Sequence, residues 1–220
     1  AISARLVVVC AGALLTPSLL MRSGIGPRAV LDKLSVKCVA DRPGVGKNLC
    51  DHPALGVLCD VQAPAVVDFD QPIIQTILRY TANNSEKRND LQIEQISFAG
   101  RPGGPAQFLL APVLEYQFGR GELTLASADP HAAPVVSNRF CEDARDARRL
   151  AECMLDTLAF TRAGALAEMV THVRFPDPSR GQSLEELEVL CRRFAGSGYH
   201  PCGTAKMGRK NDEMAVVDSR

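Results

Sequence analysis

Arg5-Leu-Val-Val-Val-Cys10-Ala-Gly-Ala-Leu-Leu-Thr-Pro17 has the pattern of a buried strand that turns into a helix. The run from Leu6 to Cys10 is continuously apolar and rich in valine, as in a parallel strand covered on both faces. Thr16-Pro17 predicts an N-cap followed by proline at the first helical position. Leu19, Leu20 and Met21 would supply the apolar face of that helix, and Gly24 fits its C-terminal cap. A second short helix is expected over Arg28–Leu34.

Outward from this strand and helix the pattern changes. Arg42-Pro-Gly-Val-Gly-Lys-Asn-Leu-Cys-Asp-His52 is a loop punctuated by proline and glycine. After it the apolar period drops to two: Leu55, Val57, Cys59 and Val61 alternate, then Leu91 and Ile93, Ile96 and Phe98, and later Leu123 and Leu125. These predict half-buried strands of an antiparallel sheet. Pro64–Asn89 is ambiguous, with Ile73–Tyr80 open to a helical reading. Over Asp143–Arg162, Ala147, Leu150, Ala151, Met154, Leu155 and Leu158 recur at helical spacing, with Gly164 just beyond. Ser183 with Glu186 three residues later is a capping box, placing Leu187, Leu190 and Phe194 on the inner face of the helix it starts. The tail from Gly196 is glycine-punctuated. The fold class expected is α/β plus α+β: a partial α/β core with an inserted domain built on an antiparallel sheet flanked by helices. The boundaries read as 1–50, 51–195 and 196–220.

The bulk properties are those of a folded chain of 220 residues, 46% hydrophobic and 23% charged. Lys+Arg and Asp+Glu both number 25, and a balanced charge gives no reason to expect a nucleic-acid partner. The opening apolar run is too short for a membrane span. Eight cysteines in a chain this long, with no CxxC pair, read as reduced thiols of a cytoplasmic protein, neither a disulfide framework nor a zinc site.

Two phosphate-binding patterns fail on context. Gly24-Ile-Gly26-Pro-Arg-Ala29 matches GxGxxA but follows a helix where a dinucleotide fingerprint follows a strand. Gly44-Val-Gly46-Lys47-Asn48 lacks the leading glycine spacing and the Ser/Thr of a P-loop. The histidines, His52, His131, His172 and His200, show no metal-ligand spacing. His131 follows Asp129-Pro130 in a turn, and His172 between Val170 and Val173 reads as core or edge packing. His200 stands apart. It lies in Gly196-Ser-Gly-Tyr-His-Pro-Cys-Gly-Thr-Ala-Lys-Met-Gly208, polar and glycine-rich, with too little apolar periodicity for packing to explain it. Imidazole side chains titrate near neutrality, so a catalytic base and a structural histidine are both open. A Cys202 nucleophile with His200 is a third reading, without a third group to orient the base.

Four ordered segments resemble the glucose–methanol–choline oxidoreductases. Gly12-Ala-Leu-Leu-Thr-Pro17-Ser-Leu-Leu-Met-Arg-Ser23-Gly-Ile-Gly26 looks like that family's second signature. Arg42-Pro-Gly-Val-Gly-Lys-Asn-Leu-Cys-Asp-His52 is similar to the loop after it. Ser127-Ala-Asp-Pro130 with Ala133-Pro134 resembles the segment after its sheet. Tyr199-His-Pro-Cys-Gly-Thr-Ala-Lys-Met-Gly208 with Ala215-Val-Val-Asp218 resembles its catalytic-histidine segment. The resemblance implies FAD as cofactor and a small-molecule alcohol as substrate, with hydride passing to the flavin and a histidine matching His200 taking the hydroxyl proton. It places Ala11, Gly12 and Ala13 at the end of a strand in the FAD-binding domain, and Cys202, Gly203 and Thr204 near the flavin edge. Asp51 and His52 would mark the passage into a substrate-binding domain over 51–195, with His52 structural.

The same resemblance has gaps. The family's N-terminal GxGxxG segment, its first signature and a second catalytic His or Asn after the position of Asp218 have no counterpart here. The chain therefore reads as an internal fragment that neither retains FAD nor oxidises alcohols unaided, its missing partner being the N-terminal FAD-binding segment. Phe118-Gly-Arg-Gly121 stands where Ser-Arg-Gly is common, and Cys202 where Val or Ala is common. A non-catalytic binding domain and a hydroxynitrile lyase-type flavoprotein are the alternatives.

Overall fold

A computed structural model describes residues 3–62, 70–97, 99, 104–177 and 183–219. Phe98 and all of 63–69 therefore lie outside the described residues. The chain divides into two units. Unit 1 comprises residues 1–51, 120–139 and 200–220; unit 2 comprises 52–119 and 140–199. The stretch 120–139, read from sequence as part of the 51–195 domain, thus clusters with the opening of the chain.

Unit 1 contains helix α1 (Gly12–Arg22), β1 (Ile25–Gly26), α2 (Arg28–Lys33) and β2 (Ala40–Asp41). Its later segments add the antiparallel pair formed by β8 (Glu122–Thr124) and β9 (Val135–Ser137). β1 and β2 are parallel. Met21, Leu31, Val45, Leu123 and Leu125 are buried together, with Leu14, Leu20 and Val216 packed against them.

Three expectations are corrected in this unit. Arg5–Cys10 forms no strand, and Leu6, Val7 and Val8 are 78%, 74% and 74% exposed. A strand exists only where another backbone runs beside it, and among the described residues none does. Helix α1 starts at Gly12, with Ala11 as cap and Pro17 inside, so Thr16 is not the N-cap. Its buried face is led by Met21, whereas Leu19 is exposed. Gly24 does end the helix: its φ is +83°, its N–H bonds the Met21 carbonyl at 3.0 Å, and a Cβ there would stand 2.3 Å from the Lys37 carbonyl oxygen.

Among the described residues, unit 2 is a seven-stranded antiparallel sheet with helices packed on it. The sheet is made of β3 (Pro53–Ala54), β4 (Val57–Val61), β5 (Ile74–Tyr80), β6 (Leu91–Ile96), β7 (Gln107–Leu114), β10 (Val170–Phe175) and β11 (Gly196–Ser197). Strand β7 is the axis. β6 pairs along Leu109–Leu114, while β4 and then β3 pair with Gln107–Leu110 and Val113. β5 extends the sheet beyond β6, β10 beyond β4 and β11 beyond β3. The β5 stretch, open to a helical reading from sequence, is a strand: Ile74, Thr76 and Ile77 are β-branched and pair across to β6.

Helix α3 (Ala144–Phe160) lays Ala147, Leu150, Ala151, Met154 and Leu158 against Val57, Cys59, Leu91, Phe108 and Leu114 of the sheet. Asp143 caps it by accepting the Arg145 N–H at 2.9 Å. The short α4 (Gly164–Met169) leads into β10. Helix α5 (Leu184–Phe194) carries the predicted capping box of Ser183 and Glu186. It turns Leu187 and Cys191 inward; Phe194, expected inside, is 49% exposed and stacks edge-on against Phe175 at 6.1 Å.

A buried ionic node fastens α3. Arg149 donates to Asp90 at 2.6 Å, to Asp146 at 2.8 Å and to the Tyr116 carbonyl at 2.7 Å. Asp146 also accepts the N–H groups of Phe118 and Gly119. Burial alone would raise the Asp90 carboxyl, but bonds from Ser85, Ala82 and Arg149 outweigh it and hold it below the usual range. The side-chain bond from Arg145 lowers Asp143 to about 2. Replacing Arg149 with methionine leaves two buried carboxylates unpaired, so Arg149→Met is expected to cost about 3–5 kcal/mol in urea unfolding at neutral pH. The Asp90 and Asp143 carboxyls are both held below their ordinary values in the folded state. Their stabilisation is therefore present above about pH 4 and lost as pH falls toward 2. The urea midpoint of the parent chain should drop across that window, and less steeply in Arg149→Met, which lacks one of the bonds that depress Asp90.

Candidate active site

The segment that carries His200 is held by the loop 42–51. Within unit 1, the backbone of residues 46–50 bonds to both sides. Leu49 exchanges N–H and C=O bonds with Gly121 at 3.0 and 2.9 Å, and Cys50 exchanges them with Cys202 at 2.9 and 2.8 Å. The Gly46 N–H donates to the Thr204 carbonyl at 2.9 Å, and its own carbonyl accepts from Leu123. Asn48 adds side-chain bonds: its Nδ2 donates to the Gly203 carbonyl at 3.2 Å, and its Oδ1 accepts from Arg120 Nε at 3.2 Å. The close fit requires glycine at 203. Its φ is +90°, and a Cβ there would lie 2.3 Å from the Asn48 carbonyl oxygen.

His200 itself is exposed, at the end of this ladder. Its backbone N–H donates to Oδ1 of Asp51 at 2.9 Å, and Asp51 is 4% exposed. A buried carboxylate thus pins the main chain of a surface histidine. Just before it, Tyr199 has a φ of +66°, uncommon for an aromatic residue, with its N–H bonded to Ser197 Oγ at 2.9 Å.

Thr204 is 1% exposed, and its hydroxyl donates to the carbonyl of Ala13 in α1. The reason is Pro17. A helical carbonyl accepts from the N–H four residues on, and proline has none. Ala13 therefore needs another donor, and Thr204 provides it. The bond ties α1 to the His200 segment and leaves the Thr204 proton committed.

The residues singled out from sequence are thereby joined in pairs: Ala13 to Thr204, Gly203 and Cys202 to the loop, His200 to Asp51. Ala11 and Gly12 sit at the start of α1, where Ala11 offers no side-chain cap, Gly12 has a φ of +75° and the space beside its Cα is open. His52 belongs to unit 2, with Nδ1 3.7 Å from Oε1 of Glu115. His131 lies in a turn closed by Asp129, and His172 is exposed on the edge strand β10 opposite Asp60. Lys47 pairs with Glu122. Sequence reading missed the roles of Asn48, Arg120 and Asp51; all three lie inside quoted segments, but only the fold shows what they bond. Among the described residues no three His, Cys, Asp or Glu side chains could hold a metal, and no helix is long and apolar enough to cross a membrane.

Two family profiles, both described as GMC oxidoreductase, match residues 1–54 and 118–220, between them more than half of the chain. The chain belongs to the GMC oxidoreductase family. It is 32% identical over 241 residues to the 5-(hydroxymethyl)furfural oxidase of Methylovorus sp., covering 99% of this chain and 43% of that one. It is 31% identical over 244 residues to the oxygen-dependent choline dehydrogenase of Sinorhizobium medicae, covering 97% and 44%. The crystal structure of pyridoxine 4-oxidase from Mesorbium loti superposes with a TM-score of 0.81 at 25% identity, over 96% of this chain and 42% of that one. The chain thus spans less than half the length of these relatives.

The Thr204–Ala13 bond gives a direct test. Thr204→Val is expected to cost about 1–3 kcal/mol in thermal or urea unfolding, because the Ala13 carbonyl loses the hydroxyl that donates to it. Pro17→Ala restores an N–H facing that carbonyl. In the Pro17→Ala background the cost of Thr204→Val should therefore shrink, a non-additivity that a double-mutant cycle measures directly.

Proposed function

We propose that this chain carries the proton-accepting histidine and part of the cofactor site of an FAD-dependent enzyme that oxidises an alcohol. The observation that carries the reading is His200: an exposed imidazole whose main chain is fixed by the buried Asp51, in a chain of the GMC oxidoreductase family. The similar proteins are named for hydroxymethylfurfural, choline and pyridoxine, each of which bears a hydroxymethyl or hydroxyethyl group.

The residues fit the cofactor in two respects. The uncapped start of α1, with the open space beside Gly12, suits a negatively charged group of the dinucleotide. Ala11, Gly12 and Ala13 would border it there. Cys202 and Gly203 would border the flavin through the segment that also presents His200, and Thr204 through its backbone, since its hydroxyl is committed to Ala13. FAD, when bound, supplies the two-electron acceptor for the hydride of the carbinol carbon. The chain's part is the proton. The unprotonated ring nitrogen of His200 accepts the hydroxyl proton, and the imidazolium so formed stabilises the alkoxide character that develops on the substrate oxygen. Asp51 keeps the histidine's main chain in place while its ring changes charge. On this reading unit 1 belongs to the cofactor-binding part of the enzyme and unit 2 to the substrate-binding part.

The test uses a preparation that holds FAD, judged by its visible absorption band. Anaerobic addition of a primary alcohol should bleach the band. His200→Gln should keep the FAD content and slow the bleaching by about 10²–10⁴-fold. An unchanged bleaching rate in His200→Gln would overturn the role given to this residue.

A further inference from the structure

Of the eight cysteines, four are packing groups. Cys59, Cys141, Cys153 and Cys191 are buried, and burial pushes the Cys59 thiol up to about 11 and those of Cys141 and Cys153 up to about 12. Thiols in that condition are inert. Cys50 and Cys202 differ. They form an antiparallel bridge and exchange both backbone hydrogen bonds, at 2.9 and 2.8 Å. Directly opposed residues of this kind project their side chains to the same face, with Cα atoms about 5.5 Å apart. That separation lies inside the range of about 4.4–6.8 Å that a disulfide spans. The two thiols also interact with each other. Cys202 is exposed and Cys50 half-buried.

We infer that Cys50 and Cys202 are an oxidation site, converted by a hydroperoxide into a disulfide across the bridge. The exposed Cys202 thiolate attacks the peroxide oxygen; the S–O bond forms, the O–O bond breaks, and the departing hydroxide takes a proton to leave as water. The Cys50 sulfur then attacks the Cys202 sulfur; the S–S bond forms, the S–O bond breaks, and a second water leaves with the Cys50 proton. Two thiols and one hydrogen peroxide give one disulfide and two waters. Burial holds the Cys50 thiol above its ordinary value, with the Arg120 guanidinium pulling the other way, so Cys202 is the sulfur that meets the peroxide and Cys50 the one that closes the bond. The disulfide lies one residue from Asp51 and two from His200, and so sets the spacing of the pair that carries the proposed proton transfer. That consequence rests on the flavin reading; the thiol chemistry does not.

The experiment treats the purified chain with hydrogen peroxide, alkylates remaining thiols, and digests it for mass spectrometry. Expected is one linked peptide pair carrying Cys50 and Cys202, lighter by two hydrogens than its separate parts and released by dithiothreitol. In Cys202→Ser the pair should vanish and Cys50 should stay alkylatable. The exposed Cys10 serves as the internal control for unassisted oxidation. Cys202 advancing to sulfinic acid while Cys50 remains a thiol would overturn the inference. So would a bond from Cys202 to Cys10 or to a second molecule, or both thiols surviving peroxide that oxidises Cys10. Flavin bleaching by alcohol is scored separately, so a failure of the enzyme reading leaves the thiol result standing.

Discussion

The backbone of residues 46–50 can be reached from two sides at once, and unit 1 is organised by that fact. At Leu49 and Cys50, where the backbone is extended, the N–H and C=O groups point alternately to either side. Leu49 spends its pair on Gly121, and Cys50 spends its pair on Cys202. One five-residue stretch therefore brings together three parts of the chain that are far apart in sequence. Backbone must approach backbone closely for this, which is why a side chain at position 203 would strike the Asn48 carbonyl oxygen. The histidine then sits at the end of a ladder and not on a free loop, and Asp51 continues the ladder by accepting the next N–H. Rigidity at this point matters for a base, since proton transfer needs the acceptor within hydrogen-bond reach.

The proline in α1 works in the same direction. Pro17 would ordinarily disturb a helix interior. Here its missing donor leaves a vacancy that a buried threonine from the histidine segment fills. A local defect becomes a long-range tie, and a motif that looks like helix punctuation in the sequence turns out to be a docking point in the fold.

Much of unit 2 was legible because its signals are local. The spacing of Ala147, Leu150, Ala151, Met154 and Leu158 and the box of Ser183 with Glu186 both act within a few residues of themselves. The alternation of Leu55, Val57 and Cys59 likewise follows from a sheet with one covered face. Ile73–Tyr80 was not legible, since a short apolar run satisfies both periods until a partner strand is known. Leu6–Cys10 shows the converse: the composition of a strand does not make one where no backbone runs beside it. In the site, His200 stood out because a glycine-rich polar segment needs some other reason to exist. The links from Asn48 to Gly203, from Thr204 to Ala13 and between Cys50 and Cys202 span more than a hundred residues each, and no spacing rule reaches that far.

The ionic node of Arg149, Asp90 and Asp146 has a consequence for how unit 2 answers heat. Taking charges out of water is costly, but the cost falls on warming because the hydration of ions carries a strongly negative entropy. The attraction between the buried partners needs no such compensation from solvent. As temperature rises, the node gains weight relative to the apolar contacts around α3. The end of the helix that it fastens, together with the Phe118 and Gly119 backbone held by Asp146, should be among the last parts of the sheet unit to loosen.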